Sequence, residues 1–313
     1  MIAFGSPIAD AESYWQYAER GIQLAAEPDS VVLPFAEAGS LSRSCNLLLE
    51  HAARHEDLEA FVLLHPHAEL VDPDLCAKVR SAMSDPDVGI VGCAGASGVR
   101  SIAWWEEDLS CAPNVIRYEE FGGGELPAFS WRAAAAPPAE VDALDGFVLV
   151  LSPWVVRNLR FDESLVDGLG VDVDFCFQVR ESGRKVVTAD LRVIYHRSLE
   201  LVSDPKVWVH AHIQFCEKWE GRLLQATGED GWRERARRAE AEREAARAMA
   251  QSKLLGSDAR VLQLERELDE KLSSPSWRLT APLRWINQMR RERLADQRQS
   301  SSTRRISSLE TTE

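Results

Sequence analysis

The run Ala60-Phe61-Val62-Leu63-Leu64 contains no polar residue, and neither does Val88-Gly89-Ile90-Val91-Gly92. A strand with one wet face alternates apolar and polar side chains, whereas a strand apolar at every position must be covered on both faces. Helical patterns lie around these runs. Residues 10–26 read as a helix after the opening strand "MIAF", and "SVVLPFA" (30–36) reads as a strand. Residues 41–55 form an amphipathic pattern, with Leu41 and Ser44 near its start and Leu47, Leu48, Leu49 and Ala52 on the apolar side. Residues 72–85 read as a helix capped by Asp72, with Pro73 in its first turn. Strands alternating with helices at this pitch predict a doubly wound, mostly parallel α/β sheet.

Beyond Gly98 the texture changes. Residues 101–140 are loop-rich, aromatic and interrupted by Gly and Pro. "VDALDGFVLVLSP" (141–153) then reads as one strand, residues 154–184 as a short helix, a loop and a longer helix, and residues 185–198 as closing strand material. Residues 204–223 form another helix. From about 229 to 272 Ala, Arg, Glu and Leu dominate, with Glu/Arg pairs at helical spacing and Val261, Leu264, Leu268 and Leu272 stepping by three and four. The expected organisation is a body over 1–222, a charged long helix or short coiled coil over 223–272, an amphipathic basic-aromatic element over 273–293, and a disordered tail over 294–313.

Charge separates the body from this helical tail. Residues 231–313 carry 18 Lys/Arg against 13 Asp/Glu, while residues 1–230 carry 18 against 37. An acidic body repels phosphate, which argues against a nucleic-acid partner. No apolar stretch reaches the length of a membrane span, and the N-terminus lacks a basic signal-peptide start. The six cysteines are scattered with no CxxC pair, as reduced thiols of a cytoplasmic protein would be.

Several groups could carry chemistry. Asp172 and Asp174 sit at the mouth of the helix "GVDVDFCFQVRESG". A carboxylate there is stabilised in its ionised form by the helix dipole and can serve as a general base, or it can simply cap the helix. Trp104 and Trp105, followed by Glu106, offer indole faces for a sugar ring and a carboxylate for its hydroxyls, or they pack under the long loop. "FGGGELP" (121–127) offers mobile amides but lacks the following helix of a dinucleotide-binding turn. The turn "HPHAE" places His65, His67 and Glu69 where a buried strand meets solvent.

The ordered segments "VDALDGFVLVLSP", "RFDESL", "GVDVDFCFQVRESGRKV" and "VIYHRS" resemble the second half of a family 2-type glycosyltransferase. The similarity is greatest to the streptomycin-biosynthesis-type subgroup common in actinobacteria. "FGSPI", "AAEPDS", "DPDVGIVGCAGASGVRSIAWWE" and "GGGELPAF" resemble that subgroup too, so the likeness runs over roughly 1–222. It implies the GT-A fold, a Rossmann-like nucleotide-diphospho-sugar transferase fold. It further implies an inverting transfer of a sugar from a nucleotide-diphosphate donor to a carbohydrate or lipid-linked acceptor. Asp172 would be the base, Asp174 would support the acceptor or structure the helix start, and Asp145 would line the acceptor side. Gly146 would allow close backbone approach, and His196 would approach the metal or the leaving diphosphate.

The resemblance also implies an acidic turn holding Mn²⁺ or Mg²⁺ after the strand 60–65, but His67 stands where that subgroup shows aspartate. Three readings stay open. Glu69 with His65 or His67, and with His196, supplies a substitute metal site. His67 stabilises the diphosphate without metal. Or the site is lost, and the domain is a binding or assembly module. A nucleotidyltransferase is disfavoured, because no basic phosphate-clamping loop is visible near the N-terminus. The Trp- and Arg-rich element "SWRLTAPLR" resembles stretches that recur beside glycosyltransferase domains. With residues 230–293 it implies contact with the inner membrane face or with a second copy.

Overall fold

The computed structural model describes residues 1–8, 10–36, 39–111, 115–118, 124–127, 133–135, 138–166, 168–197, 202, 204–223 and 230–274. The element 273–293 and the tail 294–313 therefore lie outside the described residues beyond Ser274. The chain opens with β1 (Ile2–Ile8), then a helical stretch comprising α1 (Ala11–Ser13), a π-turn (Tyr14–Ala18) and α2 (Glu19–Ala25). There follow β2 (Val31–Ala36), α3 (Leu41–Ala52), β3 (Ala60–Leu64), β4 (Ala68–Leu70), α4 (Leu75–Ala82), β5 (Val88–Gly92) and β6 (Ala94–Ser97). A 3₁₀ turn (Trp104–Glu106) leads to β7 (Asp108–Cys111), β8 (Val115–Tyr118), β9 (Gly124–Pro127), β10 (Ala133–Ala135), β11 (Ala139–Val141), β12 (Ala143–Leu144) and β13 (Val148–Leu151). The chain continues with α5 (Pro153–Asn158), α6 (Val171–Glu181), β14 (Lys185–Thr188), β15 (Val193–Arg197), α7 (Pro205–Leu223) and α8 (Asp230–Ser273).

The main sheet has the order β11-β14-β5-β13-β3-β1-β2. It is mostly parallel, as the apolar runs require. β13 runs antiparallel to both neighbours and β11 antiparallel to β14. Every residue of β3 and β5 is buried, because helices cover both faces. Two four-stranded sheets, β10-β7-β6-β12 and β4-β15-β8-β9, flank it.

Three readings of the sequence change in detail. Residues 141–153 are not one strand: β12 pairs with β6 in a side sheet, while β13 joins the main sheet after the Asp145-Gly146 break. The Asp145 N–H donates to Ala94, extending the pairing of β12 with β6, and its Oδ1 accepts from Phe147 N–H in a turn, so the distant pairing breaks the strand here. The segment 185–198 likewise divides into β14 and β15, two strands of different sheets, with Arg192 between them at φ 47. Asp72 does not cap α4, which starts at Leu75; its carboxylate instead pairs with Lys78.

The chain divides into two compact units, 1–257 and 258–313. In the first unit α8, the charged long helix of the sequence, buries Ala241, Glu244, Ala245 and Ala248 on one face. In the second, the rest of α8 exposes Val261, Leu262, Leu264, Leu268 and Leu272. Among the described residues no helix is long and apolar enough to cross a membrane.

Candidate active site

Parallel strands deliver their C-terminal ends to one edge of a sheet, and ligands of open α/β sheets gather there. β3 ends at that edge in His65. Because β13 is antiparallel, its start lies beside the end of β3: Val148 pairs with Leu64, and His65 N–H donates to Phe147 at 3.0 Å. The Asp145-Gly146 turn that precedes β13 is thereby brought to the same place. The first turn of α6 arrives there after Gly170, whose φ of +69 at the helix N-cap suits glycine. Between these elements lies a cavity of about 270 Å³. Pockets for drug-sized ligands begin near ~300 Å³, so this one suits a saccharide ring with its linkage.

Six of the eleven residues singled out from sequence line this cavity: His65, Trp104, Trp105, Asp145, Gly146 and Asp172. Asp172 Oδ2 accepts the Gly146 N–H at 2.8 Å and Oδ1 accepts the Val173 N–H at 2.9 Å. A carboxylate oxygen has room for further donors, so this anchoring leaves acceptor capacity for a ligand hydroxyl. A side chain at 146 would place its Cβ 2.9 Å from Asp172 Cβ. The backbone approach expected of Gly146 is thus an approach to the carboxylate-bearing residue itself. His65 Nδ1 accepts the His67 N–H at 3.2 Å, which puts the hydrogen of the neutral ring on Nε2. Trp104 and Trp105 meet edge to face at 6.2 Å between ring centroids, and Trp105 packs 5.5 Å from Trp208 of α7.

The other five lie elsewhere, each for a visible reason. Asp174, expected to be catalytic, is fully buried behind α6, on the far side of the helix from Asp172. Its Oδ1 meets Lys218 Nζ at 2.7 Å and Trp219 Nε1 at 2.8 Å, and its Oδ2 accepts from Gln178 at 2.8 Å. A step of two residues along the helix turns a side chain from the cavity to α7. Lys218 also binds Asp162 at 2.6 Å. Burial opposes ionisation of Asp162, but Lys218 and Ser164 outweigh it and hold the carboxyl at about 2. Glu106, expected to bind substrate, is drawn to Arg247 of α8 at 3.0 Å.

The expected metal ligands His67, Glu69 and His196 do not form a set. Glu69 and His196 sit on the paired strands β4 and β15 and bind each other at 3.0 Å. The His196 ring, 4% exposed, stacks on Tyr17 at 3.7 Å. His67 lies 4.0 Å from Asp10, whose carboxyl is held below the usual range by its bond to Ser13. Among the described residues no three His, Cys, Asp or Glu side chains converge as metal ligands. Glu69 is thus engaged with His196 and His67 with Asp10, rather than the three converging on one point.

Sequence reasoning missed Trp208 and Tyr195, which complete the aromatic lining. Trp208 lies in an ordinary amphipathic pattern, and its partner Trp105 is far away in sequence, so no local signal marks it. Among the described residues Cys45, Cys76, Cys93, Cys176 and Cys216 are buried and form no disulfide, and burial pushes the Cys76 thiol up to about 11.

Over 220 residues the chain is 26% identical to the Streptomycin biosynthesis protein StrF of Streptomyces griseus, covering 69% of this chain and 73% of that protein. Among solved structures it is similar to the mannosyltransferase PcManGT from Pyrobaculum calidifontis in complex with GDP-Man and Mn²⁺. That match has a TM-score of 0.44 at 14% identity, over 89% of this chain and 82% of the other. It is also similar to A197 from STIV, with a TM-score of 0.38 at 9% identity over 63% and 94% of the two chains. These structural likenesses are too distant to carry residue roles across. The model of the glycosyltransferase-like family, in contrast, matches residues 11–222, a span that holds every residue lining the cavity except Pro7, and the chain belongs to that family.

Proposed function

We propose that this glycosyltransferase is an inverting enzyme that moves a sugar from a nucleotide-diphosphate donor to an acceptor hydroxyl, with Asp172 as general base. Asp172 takes the proton of the acceptor hydroxyl. The oxygen then attacks the anomeric carbon from the face opposite the diphosphate. The carbon–oxygen bond to the diphosphate breaks, and its electron pair leaves with the phosphate. His65, with the hydrogen on Nε2, donates to the leaving group. Each of these steps is carried by the chain's own residues.

The observation that carries this reading is the meeting of Asp172, Asp145 and His65 in one cavity at the C-terminal edge of the sheet. The name of the Streptomyces griseus relative supports a role in secondary-metabolite glycan synthesis, with a carbohydrate or lipid-linked acceptor. Self-association through the exposed Val261, Leu264 and Leu268 of α8 is part of the same reading, and sedimentation of Leu268→Glu against the native chain tests it.

Turnover of UDP-glucose, GDP-mannose and dTDP-glucose, assayed with Mn²⁺, Mg²⁺ or EDTA, tests the function. A general base contributes roughly 10²–10⁴-fold, so Asp172→Asn should lose that much kcat at an unchanged melting temperature. Equal rates in native and Asp172→Asn protein would sink the assignment of the base. One observation favours a second reading, a chain that binds nucleotide sugars without turning them over: Glu69 of the HPHAE turn is consumed by His196. Nucleotide-sugar binding with no turnover under any metal condition would establish that second reading.

A further inference from the structure

Residues 101–106 supply three of the side chains that line the cavity: Ile102, Trp104 and Trp105. The same segment borders the helix that carries Asp172. A Cβ added at Gly170, the N-cap of α6, would collide with Ile102, so the Ile102 side chain packs directly on the backbone of that glycine. Asp172 follows two positions later. A shift of this segment therefore disturbs the aromatic wall and the start of α6 together.

Two residues of α8 grip the segment at its two ends. Ser101 Oγ donates to Glu244 Oε2 at 3.1 Å and accepts the N–H of Ala103, the residue before the 3₁₀ turn, at 3.1 Å. At the far end Glu106 Oε2 accepts from Arg247 Nη1 at 3.0 Å. Glu244 and Arg247 are three apart on one helix, which makes them neighbours on its surface. The helix approaches closely because Ala241, Ala245 and Ala248 beside Glu244 are small and buried. The two grips differ in weight. The Arg247 and Glu106 side chains are 59% and 27% exposed, and water weakens such a pair. Glu244 is 5% exposed, and its Oε2 also lies 2.9 Å from His212 Nδ1 of α7. A buried carboxylate that accepts a hydroxyl hydrogen makes a strong and directional bond.

We infer that Glu244, through Ser101, and Arg247, through Glu106, are positioning residues of the active site: they set the 101–106 segment that walls the cavity and packs on the start of α6. The inference rests on the transferase reading for its effect on rate. It makes the first part of α8 a working part of the site. The family model ends at residue 222, so both positioning residues lie beyond the matched span, while the segment they hold lies within it.

The test uses the full chain and measures turnover of UDP-glucose, GDP-mannose and dTDP-glucose well below the melting temperature, where lost stability alone leaves the rates unmoved. Ser101→Ala removes the hydroxyl and keeps the Glu244–His212 pair. Ser101→Ala and Glu244→Ala should each lower kcat/KM about tenfold, since a displacement of about 1 Å costs about 10²-fold and a smaller one costs less. Ser101→Thr, which keeps a hydroxyl, should restore the native value. The double variant should lose no more than either single one, because the two residues act as one unit. Arg247→Ala should lose a smaller factor, and Arg247→Lys should regain it. Arg243→Ala, which breaks an exposed pair with Glu240 on the same helix, is the control and should keep the native rate. Native kcat/KM in folded Ser101→Ala protein, losses that multiply in the double variant, or an equal loss in Arg243→Ala overturn the inference. If Glu244→Ala does not fold, Ser101→Ala with its threonine rescue decides. Should the native chain turn over no nucleotide sugar, the transferase reading fails separately. Hydrogen exchange of the peptides 101–107 and 170–175 then decides the positioning alone: faster exchange of both in Ser101→Ala upholds it, and native exchange in either overturns it.

Discussion

Gly146 and Asp172, on different elements, are locked together: the glycine N–H holds the carboxylate at 2.8 Å, and no Cβ fits between them. Gly146→Ala should therefore displace Asp172 by a fraction of an ångström. A misplacement of about 1 Å costs about 10²-fold in rate, so this smaller one should cost less than that, and overpacking costs roughly 1–3 kcal/mol. Rate and urea midpoint measured together check this. A full-rate Gly146→Ala enzyme would show that the contact is not what places the carboxylate.

The two aspartates of α6 should separate cleanly. Asp174→Asn leaves Lys218 with one carboxylate instead of two and weakens a buried charge contact, at a cost of about 2–4 kcal/mol. Asp172→Asn should cost little stability but most of the activity. Thermal melts paired with kcat decide. An inactive Asp174→Asn protein with native stability would return Asp174 to the catalytic group.

Glu69→Gln tests the turn that sequence suggests as a metal site. It removes a charge-assisted bond to the buried His196, worth roughly 1–3 kcal/mol. Dependence on Mn²⁺, measured by chelator titration, should stay as in the native chain. A shifted Mn²⁺ requirement would mean that Glu69 reaches a metal in the working enzyme.

Stability should fall on the alkaline side. Burial by itself would lower the His212 pKa, but Cys216 and Glu244 together overcome it and raise the group to about 10. A raised pKa stabilises the fold fully below the unfolded value, about 6.5, and that contribution is lost as pH climbs to about 10. Urea unfolding should lose roughly 2–4 kcal/mol over this window. In Glu244→Gln the slope should flatten, because the carboxylate that favours the imidazolium is gone. Parallel slopes in the two proteins would contradict the assignment.

How much was legible in the sequence differs between elements for physical reasons. Phe61 to Leu64 and Val88 to Val91 are apolar at every position, which only a strand buried on both faces tolerates, so the mostly parallel sheet was readable before any coordinates. The helix mouth at Asp172 was readable as well, because helix periodicity and carboxylate placement are local. The break of 141–153 at Asp145-Gly146 was not, since its reason is the competing pairing of β12 with β6, a strand far upstream.

Local chemistry, then, fixed which segments are strands, which are helices and which residue types could do acid–base work. Tertiary structure alone decided where each side chain points. It turned Asp172 into the cavity and Asp174 into the grip of Lys218, two positions apart on one helix. It paired Glu69 with His196 across β4 and β15, and it set Trp208 against Trp105. Side-chain partners drawn from distant parts of a chain depend on how elements pack, and packing is a property of the whole fold that no short stretch of residues encodes.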